Sequence, residues 1–124
     1  MFSSIKNIWN ISEVTTTLNK AGLNKDDARN ITQTLPKEAW ALINDCTSNL
    51  NSQCKNLCNS MFAASLFQIL NRDRLSWELE NSIGEVIRNI LESVEYQSEM
   101  GHKTKIDDSL RRFEYVGEKC YGNR

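Results

Sequence analysis

Proline and glycine are scarce in this sequence, which has one proline and five glycines in 124 residues. A β-sandwich or β-barrel needs many turns rich in these residues, so their scarcity argues against both and favours long helices. The chain also lacks a run of about 20 apolar residues, the length that spans a bilayer. We therefore expect an all-α protein that does not associate with a membrane.

An excess of charge of one sign is also missing. The formal net charge is −1, so no global field attracts the protein to DNA, RNA or an anionic membrane. The N-terminal stretch has neither the layout and cleavage site of a secretory signal nor the arginines of a mitochondrial presequence. These absences predict a cytoplasmic protein whose four cysteines are mostly reduced thiols.

The usual catalytic signatures are absent too. The sequence contains one histidine, His102, and neither a Gly-rich phosphate loop nor a G-x-S-x-G motif. The glutamates between Leu75 and Glu99 follow the polar side of a predicted helix and look like a solvated face. We therefore expect no cofactor and a non-enzymatic function, with enzymatic activity as the minority interpretation.

The most apolar segment runs from Gln53 to Leu70, QCKNLCNSMFAASLFQIL. Its apolar residues begin as a helical stripe and then spread almost all the way around the helix axis. A helix that is apolar on every side is buried. The sequence thus predicts a single domain over residues 1–124, a bundle of five or six helices around this central helix.

Local signals define the helices before it. Apolar spacing predicts a first helix from Ser4 to Ala21, and Gly22 follows where a Schellman motif needs a left-handed residue. Asn24 is suited to cap a second helix. Pro36 ends that helix and opens a third.

Between the third and the central helix, residues Asn44–Ser52 are dense in side chains that compete for backbone hydrogen bonds. This favours a break, with a kinked continuous helix as the alternative. After the central helix, Asp73 is predicted to cap a helix that runs to about Met100. A last helix is predicted from Ile106 to about Lys119.

Two features inside the long helix after Asp73 leave alternatives open. Ser82–Glu85 has capping-box spacing and offers a second possible start. Gly84 lowers helix propensity, and it marks either the close approach of another helix or a kink.

The cysteines suggest a metal site as one alternative. Cys54 and Cys58 lie on one helix face, Cys46 precedes them by eight residues, and His102 and Cys120 offer further ligands for a tetrahedral zinc. The chain has no Cys-x-x-Cys motif, however, and buried cysteine behaves as a small hydrophobe. The pattern favours Cys54 and Cys58 as core residues over metal ligands.

The region around Gly22 carries two resemblances. Ala21-Gly22-Leu23 followed by Ile31 resembles the turn of a helix-turn-helix motif, which would imply DNA binding. Leu18 and Ala28 depart from the residue types usual in that motif, and paired acids at the start of the second helix repel phosphate.

The same stretch, with Glu38–Ile43 as a third helix, is similar to a ubiquitin-associated-type three-helix unit. Each resemblance covers less than half of the chain. A well-capped helical hairpin explains the same residues and is the interpretation that we prefer.

The C-terminal stretch interleaves basic and aromatic side chains. Arg111 and Arg112, together with Tyr115, could neutralise and stack on a single nucleic-acid strand. Acidic residues interrupt this patch, namely Asp107, Asp108, Glu114 and Glu118. The helix therefore fits better as one that closes the bundle and pairs its arginines with the Glu-rich helix.

By elimination, we expect a non-enzymatic protein–protein interaction module: an adaptor, an inhibitor or an immunity-type protein. The candidate partner-binding residues are Trp9, Trp77, Arg111, Arg112 and Tyr115. The first helix concentrates large apolar residues near a chain end, which predicts a symmetric homodimer that packs this helix against its mate or the Trp77 region. Nucleic-acid binding and a cysteine-based metal site are the alternatives.

Overall fold

The structure, a computed structural model, describes the backbone of residues 2–48, 50 and 52–100 and the side chains of residues 11–48, 50 and 54–98. These residues form six α-helices and no strand: α1 (Phe2–Lys20), α2 (Lys25–Thr34), α3 (Lys37–Thr47), α4 (Ser52–Leu70), α5 (Trp77–Glu92) and α6 (Val94–Met100). The predicted all-α class is confirmed. The helix predicted at Ile106–Lys119 lies outside the described residues, and a single domain over residues 1–124 stays a prediction.

Helix α4 is the centre of the fold. It packs against each of the other five helices. Six consecutive residues, 59–64, are buried, and at about 100° per residue they point in all directions around the axis. The outer helices differ, since α5 buries a single stripe of Ile83, Val86 and Ile90. The predicted central helix is therefore confirmed.

The turn between α1 and α2 is the predicted Schellman motif. Gly22 has a φ of +119°. The Leu23 N–H donates to the Leu18 carbonyl at 3.0 Å, and the Gly22 N–H donates to the Asn19 carbonyl at 3.1 Å. Asn24 then caps α2, because its side-chain oxygen accepts the Asp26 N–H at 2.8 Å.

The breaks on either side of α3 also follow the predictions. Leu35 is extended, as the residue before a proline prefers, and α2 ends there. Pro36 directly precedes α3. The Pro36 carbonyl accepts hydrogen bonds from the Ala39 N–H at 3.0 Å and the Trp40 N–H at 3.3 Å. Helix α3 ends at Thr47 and α4 begins at Ser52, so the break is confirmed over the kinked continuous helix.

The predicted cap of α5 was wrong. Asp73 lies in the turn after α4, where the Arg74 N–H donates to the Asn71 carbonyl at 2.8 Å. Ser76 adopts the extended conformation of a cap instead, and its hydroxyl accepts the Leu79 N–H at 3.1 Å. Aspartate and serine both favour the cap position of a helix. Because the turn after α4 includes Asp73, the helix starts later and Ser76 is its cap.

The predicted helix to Met100 is divided at Ser93. This residue is extended, with ψ at 146°, and its N–H donates to the Ile90 carbonyl at 3.1 Å. Its hydroxyl also accepts the Tyr96 N–H at 3.3 Å. Ser93 therefore ends α5 and begins α6, a double role that made one continuous helix the wrong prediction.

Gly84 causes neither a new start nor a close helix contact. Helix α5 continues through Ser82–Glu85. A Cβ atom added at Gly84 would have no heavy atom within 4 Å. No other helix therefore approaches α5 at this position.

Polar pairs fix the positions of neighbouring helices. The Thr15 and Thr32 hydroxyls lie 2.7 Å apart between α1 and α2, and the Asn56 amide donates to the Thr17 hydroxyl at 2.9 Å between α4 and α1. The buried Thr47 hydroxyl lies 2.7 Å from the Asn59 side-chain oxygen between α3 and α4. Hydrogen bonds satisfy these groups inside the bundle, where an unpaired polar group would be costly.

Candidate functional site

Two large apolar side chains are exposed among the described residues. Trp77 is 76% exposed at the start of α5, and Val94 is 80% exposed at the start of α6. Helix α5 has 16 residues and separates the two by about 24 Å. They therefore do not form one apolar patch.

The helical phase of α5 points Trp77 away from the bundle. The residues of α5 that pack on the core are the buried Ile83, Val86 and Ile90 and the partly buried Leu79, Ile87 and Leu91. At about 100° per residue, Trp77 lies about 120° from the centre of this stripe. The exposure of Trp77 therefore agrees with its helical phase and with its position as the first residue of α5.

Charged side chains lie close to Trp77 along the chain, with the exposed Arg74 before it and two glutamates after it. Glu78 and Glu80 lie in the first turn of α5 and are exposed. The helix dipole favours carboxylates at this end of a helix. We call Trp77, Glu78 and Glu80 the Trp77 surface.

The predicted solvated face is confirmed for the glutamates whose side chains are described. These are Glu78, Glu80, Glu85, Glu92 and Glu95, and all five are exposed. The carboxylates follow the outside of α5 and α6. Helix α5 carries four glutamates and one arginine, Arg88, for a formal net charge of −3.

A second group of chemically interesting side chains lies inside the bundle. The Sγ atoms of Cys54 and Cys58 on α4 are 4.0 Å apart, and Tyr96 of α6 is fully buried beside them. We call these three residues the dithiol–phenol cluster. Burial raises the pKa of the Cys58 thiol, and the neighbouring Cys54 raises it further.

The phenol of the cluster is also held neutral. Burial raises the pKa of Tyr96, as do the adjoining thiols of Cys58 and Cys54. The Tyr96 hydroxyl lies beside the Cys58 thiol, and among the described residues no nitrogen or oxygen atom pairs with it.

The five residues considered as metal ligands are only partly brought together. Cys54 and Cys58 adjoin, whereas Cys46 is exposed on α3. His102 and Cys120 lie outside the described residues. Within residues 2–100, where the structure describes them, no group of three or more His, Cys, Asp or Glu side chains is arranged to hold a metal ion.

Cys46 is exposed on α3, although it lies three residues after the buried Ile43, a spacing that would favour burial. Thr47 takes the buried position instead, four residues after the buried Ile43. Its hydroxyl lies near both the Ile43 carbonyl and the Asn59 side chain, so the polar group is satisfied in the core. Cysteine is on average more often buried than threonine. Here Thr47 is buried and Cys46 is exposed, because the Thr47 hydroxyl finds a hydrogen-bond partner in the core.

The remaining predicted partner-binding residues are not tested. Trp9 belongs to α1, but its side chain is outside the described set. Arg111, Arg112 and Tyr115 are outside the described residues altogether. Trp77 is thus the one member of that group whose surroundings are visible.

Tyr96 is the residue that the sequence did not reveal. Tyr96 comes six residues after Ile90, and this spacing does not continue the apolar stripe of α5. The break at Ser93 rotates the chain and allows Tyr96 to face the core. The capping potential of Ser93 was the available signal.

The two family resemblances gain little from the structure. Exposed and half-buried charges at the start of α2 balance, with Lys25 and Arg29 against Asp26 and Asp27, so the helix offers no positive face to phosphates. Helix α3 packs mainly against α4 rather than against α1 and α2. The first three helices therefore do not form a separate three-helix unit.

No described helix combines the length and the apolarity that crossing a bilayer requires. Comparisons of the chain with protein-family models, with curated proteins and with solved structures gave no significant match.

Proposed function

We propose that this protein is a non-enzymatic, cytoplasmic protein-binding module and that the Trp77 surface contacts its partner. The observation that carries the proposal is the 76% exposure of Trp77. Tryptophan is among the residues most enriched at the energetic centres of protein interfaces. Scattered exposed aliphatic residues such as Val94 are ordinary and carry no such implication.

The position of Trp77 supports a role in binding over a role in folding. The indole is directed away from the buried stripe of α5, and the cap of the helix is provided by Ser76. An indole removes up to about 250 Å² from water when it is covered, a gain that the isolated chain does not realise. A partner that covers Trp77 would realise it.

The charges around Trp77 indicate the chemistry of that partner. Glu78 and Glu80 follow Trp77 in the first turn of α5, and this helix has a formal net charge of −3 from four glutamates and Arg88. The exposed Arg74 lies three residues before Trp77. Complementary charges steer association and raise its rate constant. We therefore expect a protein with an apolar pocket for the indole and a basic rim around it.

The test is recovery of the partner by matched variants. Tagged wild-type protein, Trp77→Ser and Val94→Ser are used as baits in extract of the native host, and the recovered protein is then purified and its Kd is measured. We expect the wild type and Val94→Ser to bind equally and Trp77→Ser to bind at least tenfold more weakly. Circular dichroism verifies that all three baits are folded.

The association rate constant provides a second readout. Replacing Glu78 and Glu80 by glutamine should lower the association rate constant and leave the dissociation rate nearly unchanged. Equal affinity of Trp77→Ser and wild type would refute the proposal. Recovery of a second copy of the chain alone would instead identify the surface as part of a homodimer.

A further inference from the structure

We propose that α5 pairs with α5 of a second copy of the chain, in an antiparallel dimer with two-fold symmetry that covers the Trp77 surface. This inference rests on the proposed function, in which the Trp77 surface is a binding surface. It names what covers that surface when no other partner is bound. The dimer differs from the one through α1 that the sequence predicts.

One face of α5 has residues spaced symmetrically about Gly84. Trp77 and Leu91 lie seven residues before and after Gly84, and Glu80 and Arg88 lie four residues before and after it. At about 100° per residue, all of them lie within about 40° of the direction of Gly84. We call these five residues the α5 seam, and at 1.5 Å per residue its two ends are about 21 Å apart.

The α5 seam is accessible in the single chain. Trp77 is 76% exposed, Glu80, Gly84 and Arg88 are also exposed, and Leu91 is partly buried. A Cβ atom added at Gly84 would meet no heavy atom within 4 Å. The centre of the seam lies about 100° around the helix from the centre of the stripe that packs on the core. The middle of the seam is therefore open to another helix.

The glycine at the centre allows two helices to approach closely. The distance between the axes of packed helices is about 8–10 Å and depends on the side chains at the contact. Two copies of α5 that cross at Gly84 have no side chains at this point, so their axes reach the short end of that range. The larger residues at the ends then meet, with Trp77 of each copy beside Leu91 of the other.

The charges of the seam select the antiparallel orientation. A parallel pair would place Glu80 beside Glu80 of the second copy and Arg88 beside its Arg88. In the antiparallel pair, Glu80 of each copy faces Arg88 of the other. A two-fold axis at Gly84 generates each contact twice, as an interface between identical surfaces requires. Opposite charges thus favour a second copy in this orientation, and like charges disfavour the parallel one.

The net charge of α5 does not oppose this pairing at the contact. Helix α5 has a formal net charge of −3, but Glu80 and Arg88 balance within the seam. The other three glutamates, Glu78, Glu85 and Glu92, lie about 80–120° around the helix from the centre of the seam. Their carboxylates therefore point to the sides of the helix pair.

The size of the contact predicts a weak dimer. A stable interface buries about 800 Å² on each partner, which is more than one face of a 16-residue helix offers. Asn81 faces the partly buried Ile87 across the axis, and this pair adds little. We therefore expect a reversible dimer that a partner with higher affinity for Trp77 displaces.

The experiment is sedimentation equilibrium of the purified full-length protein, from low to high micromolar concentration. Glu80→Arg and Arg88→Glu each bring like charges together and should weaken the dimer at least about fivefold. The double variant Glu80→Arg/Arg88→Glu restores opposite charges across the axis and should return the Kd to within about twofold of the wild type. Gln33→Glu adds a charge at an exposed position of α2 and is the matched control, which should dimerise like the wild type.

The apolar ends of the seam give a further readout. Trp77→Ser should weaken the dimer about tenfold, since tryptophan is a frequent energetic centre of interfaces. Circular dichroism verifies that each variant is folded. A monomeric wild type, a dimer that both single charge variants leave unchanged, or a double variant that stays as weak as the single ones would overturn the inference.

These measurements use the purified chain alone, so they are separate from the recovery of a partner. A monomeric wild type that binds a recovered protein through Trp77 would refute the dimer and leave the proposed function standing. A dimer that follows the charge reversal, together with a recovered protein that binds Trp77→Ser as well as the wild type, would refute the proposed function and leave the dimer standing.

Discussion

Single polar side chains decide which residues enter the core of this bundle. Thr47 and Asn59 are buried between α3 and α4 because each satisfies the other, at 2.7 Å. A lost partner would leave an amide in an apolar environment without a hydrogen bond. Such a loss costs more than the hydrogen bond itself contributes.

Thr47→Val should therefore lower the free energy of unfolding by about 1–3 kcal/mol, since it leaves the Asn59 amide unsatisfied. Thr34→Val is the matched control. Its hydroxyl makes the same kind of bond to a carbonyl four residues earlier, at 2.6 Å, but on the exposed side of α2. Urea denaturation should show a change of less than about 0.5 kcal/mol for the control. Equal effects of the two substitutions would contradict this account.

The apolar residues of α4 should show the largest effects of any single substitution. Leu66→Ala and Phe62→Ala remove buried side chains from the most enclosed helix and should each destabilise the fold by about 2–5 kcal/mol. Val94→Ala removes an exposed aliphatic group and should change stability little. A denaturation midpoint that stays constant for both α4 variants would show that α4 is peripheral.

At the scale of the helices, the ends are set by backbone geometry more than by helix propensity. Gly22 and Gly84 illustrate the two situations that a glycine meets. The first has a positive φ in the turn after α1, and the second lies within α5 with open space around it. The same substitution should have opposite effects at the two positions.

Gly22→Ala should destabilise the protein by about 1–2 kcal/mol, because side chains disfavour the left-handed region. The added Cβ would meet Asn89 at 3.6 Å, an ordinary contact, so the cost arises from the backbone. Gly84→Ala should stabilise the protein by about 0.5–1 kcal/mol through helix propensity. Thermal unfolding of both variants gives the two signs, and a stabilised Gly22→Ala would contradict the Schellman turn.

The cap of α5 can be tested in the same way. Ser76→Ala removes the acceptor for the Leu79 N–H and should cost about 1 kcal/mol. Asp73→Ala should cost less than half as much, because Asp73 lies in the preceding turn. A larger loss for Asp73→Ala in chemical denaturation would return the cap to the residue that the sequence suggested.

These elements also show which features a sequence reveals. Gly22 and Pro36 mark helix ends well, since few other residues meet the same backbone requirements. Ser93 and Ser76 mark them poorly, because serine, aspartate and asparagine are spread along the whole chain and many can cap a helix. The apolar run of α4 predicted the centre of the fold, whereas Tyr96 in the dithiol–phenol cluster depends on a break that periodicity does not show.

At the scale of the whole molecule, the prediction of a homodimer through α1 remains to be tested. If the chain pairs through α1 rather than through the α5 seam, Trp9→Glu places a charge in the interface and should yield a folded monomer in light scattering. Gln33→Glu adds the same charge at an exposed position of α2, outside the proposed interface, and should leave the dimer intact. A monomeric wild type at high micromolar concentration would rule out the dimer.

The central position of α4 has a consequence for the order of events during synthesis. Helices α1, α2 and α3 are complete at Thr47, but the helix that covers their apolar sides is complete only at Leu70. At roughly 5–20 residues per second, the ribosome needs about 1–5 s to add the intervening residues. During that interval the apolar faces of α1, α2 and α3 are not covered by α4, the helix that packs against all three. We expect this window to be the period when the chain most needs a chaperone.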